Sequence, residues 1–235
     1  MLVAALIAAV FIPAVFIPAV FVPAVFIPFG AGVALADTPN QDLLAAASDG
    51  NTTRVVELLR QGADVNARDA LGRTAVMAAT YGRHAGTVEA LIGAGADVNL
   101  RDAMLNNPFL YAGAEGMVDI LKLATKAGAD PGITNRYGGT ALIPAAERGH
   151  VDAVNYLLDN TAVDVNHVNS LGWTALLEAI VLSDGGSRHQ QVVAALIRHG
   201  ADVNIPDRAG QTPLRHARQR GYLKIEALLK AAGGR

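Results

Sequence analysis

Cysteine is absent from the whole chain. Its absence excludes disulfides, zinc–thiolate sites, iron–sulfur clusters and thiol nucleophiles together, and leaves packing to hold the fold. An excess of either charge is lacking too. The 21 acidic residues nearly cancel the 19 basic ones, so no net field draws the protein to nucleic acid or to an anionic membrane surface. Nor is there a G-x-S-x-G elbow, a P-loop, an H-E-x-x-H helix or a kinase-like motif set, and the Gly185-Gly186 pair does not open a strand-to-helix phosphate site. What the chain does have is apolar material: 51% of its 235 residues are hydrophobic, enough for one good-sized domain and too many for a disordered chain.

Charge of any sign is missing from the first 36 residues; the first charged residue is Asp37 and the first basic one Arg54. This apolar stretch repeats Phe-Ile/Val-Pro, with prolines at Pro13, Pro18, Pro23 and Pro28, and ends in Ala34-Leu35-Ala36. A long apolar run closing on small residues reads as a signal peptide with an A-x-A-type cleavage site after Ala36, which implies a periplasmic or secreted mature chain. The missing Lys or Arg before the run and its unusual length depart from that pattern; a misassigned start codon accounts for the first. The rival reading is a retained membrane anchor, since more than 20 apolar residues span a bilayer, although four prolines oppose a regular helix. Without cysteine there is no lipoprotein anchor.

From Asn40 onward the chain is self-similar. Gly62-Ala63-Asp64, Gly95-Ala96-Asp97 and Gly128-Ala129-Asp130 lie 33 residues apart. Thr74-Ala75-Val76, Thr140-Ala141-Leu142, Thr174-Ala175-Leu176 and Thr212-Pro213-Leu214 recur at a related spacing, each threonine placed to N-cap a helix. Small residues follow at Ala79, Ala145, Ala146, Ala179 and Ala217, allowing close helix approach. Apolar pairs at Leu58-Leu59, Leu91-Ile92, Leu157-Leu158, Leu196-Ile197 and Leu228-Leu229 mark the core face of a second helix. Each unit ends on a glycine suited to a left-handed helix cap, followed by a turn such as residues 67–72.

This pattern resembles the ankyrin repeat, whose 33-residue period and T-P-L-H-x-A signature it shares apart from the histidine. The resemblance implies an all-α repeat solenoid of about six helix-turn-helix units with β-turn fingers. The units run over about 40–68, 69–101, 102–134, 135–168, 169–206 and 207–235, so the repeat domain spans 37–235. A single unit cannot bury its own apolar face; stacked units share a continuous core.

The pattern breaks in three places. The third unit carries Leu105 and Asn107 where Gly and Thr stand elsewhere, and its apolar ridge moves to Ala124-Thr125. The fourth gains one residue around Asn160-Thr161-Ala162. The fifth gains five, concentrated in Ser183 to His189, whose turn-forming residues predict an extended loop between its two helices.

Ankyrin-like domains bind other proteins through finger tips and a concave helix face, so the resemblance implies a non-enzymatic interaction module with no cofactor and no metal. Projecting the repeat onto those positions selects Arg73, Tyr81, Met104, Arg136, Tyr137, Arg148, Trp173, Arg208 and Arg220, a set rich in arginine and aromatics, the residues favoured at binding hot spots. Tyr137 and Trp173, on successive fingers with Arg136 and Arg148 beside them, are the expected centre. The expected partner is another exported protein, with the membrane involved only if the N-terminus is retained; an adaptor or inhibitor is the expected role, a tethered scaffold the alternative. The histidines fit no ligand motif: His84 and His150 occupy the Gly-His position of the repeat, and His189 and His199 flank a helix without metal-ligand spacing to Asp184 or Asp202. Asp64, Asp97, Asp130, Asp164 and Asp202 sit just past a helix end, where turn hydrogen bonding is their expected duty.

Overall fold

The computed structural model describes residues 39–235. The expected leader or anchor at residues 1–36 lies outside the described residues. Among those described, the chain forms six antiparallel helix pairs. They are α1 (Pro39–Ser48) with α2 (Thr52–Arg60), α3 (Ala75–Tyr81) with α4 (Ala85–Gly93), and α5 (Pro108–Ala114) with α6 (Val118–Lys126). Then come α7 (Leu142–Glu147) with α8 (Val151–Asn160), α9 (Ala175–Val181) with α10 (Ser187–Arg198), and α11 (Pro213–Arg220) with α12 (Leu223–Ala231). The odd-numbered helices pack on one another in series and the even-numbered ones form a second row behind them, which is the expected solenoid.

The first helices are short because their sequence specifies both ends. Oγ1 of Thr74, Thr174 and Thr212, and Oδ1 of Asn107, accept the backbone N–H three residues on at 2.8–3.4 Å, stopping the chain from extending backwards. Asn107 therefore does the threonine's work in the third unit. The fourth unit is the exception. Pro144 has no N–H to give Thr140 O; Ile143 N takes that carbonyl instead in a tighter turn, and Thr140 Oγ1 is left buried without a hydrogen-bond partner. Ala79, Ala112, Ala145, Ala179 and Ala217 are completely buried where consecutive first helices meet, so any larger side chain there would push two units apart.

In the second row Leu58, Leu91, Ala124, Leu157, Leu196 and Leu229 occupy one equivalent core position, with the ridge partners Leu59, Ile92, Leu158, Ile197 and Leu228 only partly buried. The third unit fills that place with a methyl group, as its sequence implies. At the turn between helices a ring reaches back to the preceding unit: His84 Nε2 lies 3.1 Å from Ser48 O, His189 Nε2 lies 2.9 Å from Glu147 O, and Tyr222 OH donates to Ser183 O at 2.5 Å. Gly50 and Gly185 must be glycine here, because a Cβ would stand 2.5 Å from the His84 and Tyr222 rings.

That ring row also decides the fate of the fifth unit's extra residues. The predicted loop is shorter than its sequence suggests: Ser187, Arg188 and His189 lie in the first turn of α10, a 12-residue helix against nine or ten in the other second helices. The lengthened helix starts early enough for His189 to reach Glu147 O.

Past each second helix the aspartates behave as expected. Oδ1 of Asp64, Asp97, Asp130, Asp164 and Asp202 accepts the backbone N–H two residues on at 2.8–2.9 Å. An asparagine ladder then runs along the loops, its first bond within the first unit and the others between adjacent units. Asn40, Asn66, Asn99 and Asn166 accept through Oδ1 from the backbone N–H of Asp64, Asp97, Asp130 and Asp202, each at 2.8 Å. Asn66, Asn99 and Asn166 also donate through Nδ2 to Gly95 O, Gly128 O and Gly200 O at 3.1–3.5 Å. One rung is missing, between the third and fourth units, where Gly132 has no side chain to offer Asp164.

Candidate functional site

Five fingers open on Asp69, Asp102, Asn135, Asn169 and Asp207. In each, Oδ1 accepts two backbone N–H groups, those two and four residues on, at 2.8–3.1 Å. This pair of hydrogen bonds fixes which residue occupies the tip: the second after the opener. The tips are thus Leu71, Met104, Tyr137, Leu171 and Ala209. The first four are large, apolar and about half exposed, at 56%, 47%, 51% and 52%. The Gln211 amide and His216, 2.8 Å from Asp207 Oδ2, hold the Asp207 carboxyl below its usual range.

Behind the tips, the concave faces of α5, α7 and α9 enclose a groove of ≈ 340 Å³. Met104, Tyr137 and Leu171 form its finger wall, while Tyr111, Ile143 and Leu182 line the helix side. Four of the chain's large exposed apolar side chains, Met104, Tyr137, Leu171 and Leu182, converge on this one groove. The Arg136 guanidinium sits 4.8 Å above the Tyr137 ring centroid and 3.6 Å from Met104 Sδ, bridging two fingers. Tyr81 packs edge-on against Tyr111 with centroids 4.5 Å apart; its OH donates to Asp102 Oδ2 at 2.5 Å and accepts from Asn106 Nδ2 at 3.1 Å. Burial and the Asp102 carboxylate push the Tyr81 hydroxyl up to about 12.

Three glutamates line the same groove, in different surroundings. Glu115 is neutralised by Arg83 at 2.8 Å and by Arg148, whose Nη1 also donates to Ala114 O at 2.9 Å. Glu147 is half-buried. Glu178, in the middle of the apolar α9, is only 5% exposed and takes a single 2.7 Å hydrogen bond from Asn169 Nδ2. Burial first, and the neighbouring Glu147 charge second, push its carboxyl up to about 7 against the smaller opposing effect of the Asn169 bond.

A family model described as ankyrin repeats (3 copies) matches residues 43–135 and 109–207. This chain is an ankyrin-repeat protein. The ankyrin repeat protein YahD of Escherichia coli K12 is 43% identical over 192 residues, covering 82% of this chain and 96% of its own length. A crystallised ankyrin repeat domain from Acinetobacter baumannii AYE matches with a TM-score of 0.80 at 51% identity, over 82% of this chain and 98% of that one. The human ASB11 ankyrin repeat domain matches with a TM-score of 0.68 at 25% identity, over 82% and 84%. Ankyrin repeat domains are generally non-catalytic protein–protein interaction modules.

Within these ankyrin fingers, the residues selected from sequence divide into two groups. Met104, Arg136, Tyr137 and Arg148 meet in the groove, with Tyr81 behind Tyr111 at its edge. Trp173 is not the counterpart of Tyr137. It lies four residues after its finger opener, where Asn169 clamps its N–H and carbonyl; it is half-buried, outside the groove lining, and the equivalent of Tyr137 is Leu171. Arg73 holds the same fourth position in its own finger and is spent on Asp69 at 2.7 Å. Arg208 donates to Ser170 O, and Arg220 to Val181 O at 3.1 Å, so both tie adjacent units together. Leu71, Leu171, Leu182, Tyr111, Glu147 and Glu178 were absent from the sequence set. The repeated finger opener would have found the two leucines of the tip row, and a lone acid inside Ala-Leu-Leu-Glu-Ala-Ile-Val was the visible signal for Glu178.

His189 approaches Asp184 at 3.3 Å and His199 approaches Asp159, not Asp202, at 2.8 Å. Among the described residues no three His, Cys, Asp or Glu side chains gather as a metal-binding group.

Proposed function

We propose that the groove of the third to fifth units binds a segment of another protein, and that the chain is an exported adaptor or inhibitor of that partner. The observation that carries this is the convergence of Met104, Tyr137, Leu171 and Leu182, each about half exposed, on one concave surface rimmed by Arg136 and Arg148. Exposed apolar side chains clustered with polar ones at the rim are the mark of an interaction site, and aromatic and arginine anchors carry most binding energy. An inhibitory role draws support from cyclin-dependent kinase 4 inhibitor B of Bos taurus, 40% identical over 100 residues, covering 42% of this chain and 71% of that protein. The apolar Met1–Ala36 stretch supports the exported location.

The partner is obtained by crosslinking in cells followed by mass spectrometry, and its affinity is then measured against variants. Tyr137→Ala and Leu171→Ser each weaken the complex by about tenfold or more; Leu223→Ser, on the exposed surface of α12, leaves it unchanged. Equal affinity for all three variants would remove the groove from consideration. Fractionation with N-terminal sequencing addresses location: a soluble mature chain beginning at Asp37 supports release, whereas an intact N-terminus in membranes replaces it with a tethered scaffold.

A further inference from the structure

We infer that the floor of the groove, Glu147 and Glu178 behind the Tyr137 wall, receives a lysine or arginine side chain presented by the bound protein segment. The inference rests on the reading of the groove as a protein-binding site and specifies the chemistry of what enters it. A buried carboxylate needs hydrogen bonds or an opposite charge, and Glu178 has little of either. Asn169 satisfies Oε1, while Oε2 takes no hydrogen bond from the described residues, although Glu178 lines the groove and is 95% buried by its 5% exposure.

The charged groups on the elements around α9 do not supply the missing cation. On α7, Glu147 repels Glu178, and Arg148 at the end of that helix is committed to Glu115 and Ala114 O. On α10, His189 is engaged by Glu147 O and Asp184. On α11, His216 is engaged by Asp207, and Arg220 by Val181 O and His216. Arg136 lies over the Tyr137 ring at the finger tip. A cationic side chain entering from solvent would lie between two carboxylates, with its methylene stem against Tyr137 and Leu182, and its charge would be paired with one that is already desolvated. An acidic or neutral side chain in the same place leaves the two carboxylates repelling each other.

The test uses the chain as cells produce it and three blocked peptides, Gly-Gly-Arg-Gly-Gly and its counterparts with Gln or Glu at the centre, titrated by amide NMR in the millimolar range. The arginine peptide is expected to shift the Gly139, Asn169 and Leu182 signals, to bind about fivefold more weakly to Glu147→Gln or Glu178→Gln, and to bind more tightly as Glu178 loses its proton between about pH 6 and 8. The pH gain disappears in Glu178→Gln. Equal binding of the glutamine or glutamate peptide, unchanged binding in both variants, or no response to the arginine peptide overturns the inference. The partner assay separates this failure from a wider one: a complex lost in Tyr137→Ala but intact in Glu147→Gln and Glu178→Gln keeps the groove and discards its cationic occupant.

Discussion

Asn166→Ala removes one rung of the asparagine ladder and nothing else of size. The side chain is half-buried; its Oδ1 accepts from Asp202 N at 2.8 Å and its Nδ2 donates to Gly200 O at 3.3 Å, so the fourth and fifth units lose two hydrogen bonds between their loops. Each such bond contributes about 0.5–1.5 kcal/mol net, and water can replace both partners at this surface, so the expected loss is about 1–2 kcal/mol. For a domain of this size that corresponds to a fall in Tm of roughly 2–8 °C. Gly132→Asn is the reciprocal change at the junction that lacks a rung. The glycine is not in the left-handed region, and a Cβ there meets only Asp130 Oδ1 at 3.2 Å, within the Asx turn that asparagine closes at the equivalent positions. The new amide gains Asp164 N as a donor, but the fourth unit ends on Thr161 in extended backbone rather than on a left-handed glycine, so a second bond does not follow. The expected gain is about 0.5–1 kcal/mol. Urea unfolding followed by circular dichroism measures both, with hydrogen exchange at the Asp202 and Asp164 amides guarding against units that open separately. Asn160→Ala, which breaks only a bond to Tyr156 O within its own helix, is the control. If Asn166→Ala cost no more than this control, the ladder would not be holding the units together.

The Glu178 carboxyl makes stability depend on pH in an unusual direction. Below the ordinary value of 4.5 it is protonated in both states; as pH rises towards about 7 the unfolded chain ionises first while the native one keeps its proton, so stability falls by about 3 kcal/mol and then levels off. Glu178→Gln should match the parent near pH 4 and exceed it near pH 8 in denaturant titrations; a constant difference would contradict the assignment. Gly185→Ala, whose Cβ would meet the Tyr222 ring at 2.5 Å with φ at +68°, should lose about 2–3 kcal/mol, against about 1–2 kcal/mol for Gly210→Ala, where φ is +73° and nothing lies within 4 Å. Calorimetry that ranked them the other way would refute the ring contact. Thr174→Ala removes a working cap and should cost about 1 kcal/mol, whereas Thr140→Val replaces a buried hydroxyl without a partner and should be neutral or stabilising by thermal melts.

The fold was legible because its signals are periodic: caps, alanines, apolar ridges and aspartates recur at one spacing, and each repetition reinforces the same register. The departures were legible only as departures. That Asn107 could replace a threonine cap follows from its chemistry, but that Pro144 would deprive Thr140 of its cap partner depends on which carbonyl the missing N–H would have served. The surplus in the fifth unit read as loop because Gly185-Gly186 breaks helices, yet Ser187 to His189 continue the helix once His189 finds Glu147 O. The candidate groove was half legible. Aromatic and arginine side chains stand out in a sequence, which favoured Trp173 over Leu171; the hydrogen bonds of Asn169 assign the tip to the leucine. Leu71 and Leu171 look like ordinary core residues until the finger geometry turns them outward.

The fifth unit accommodates its surplus at the turn between its helices, the edge remote from the fingers. Because the lengthened α10 still delivers a ring to the preceding unit, the mismatch is absorbed before it can reach the tips. Leu171 and Ala209 therefore remain successive finger tips although 38 residues separate them, so the chain takes in surplus residues at its back while each opener still sets its own tip at the front.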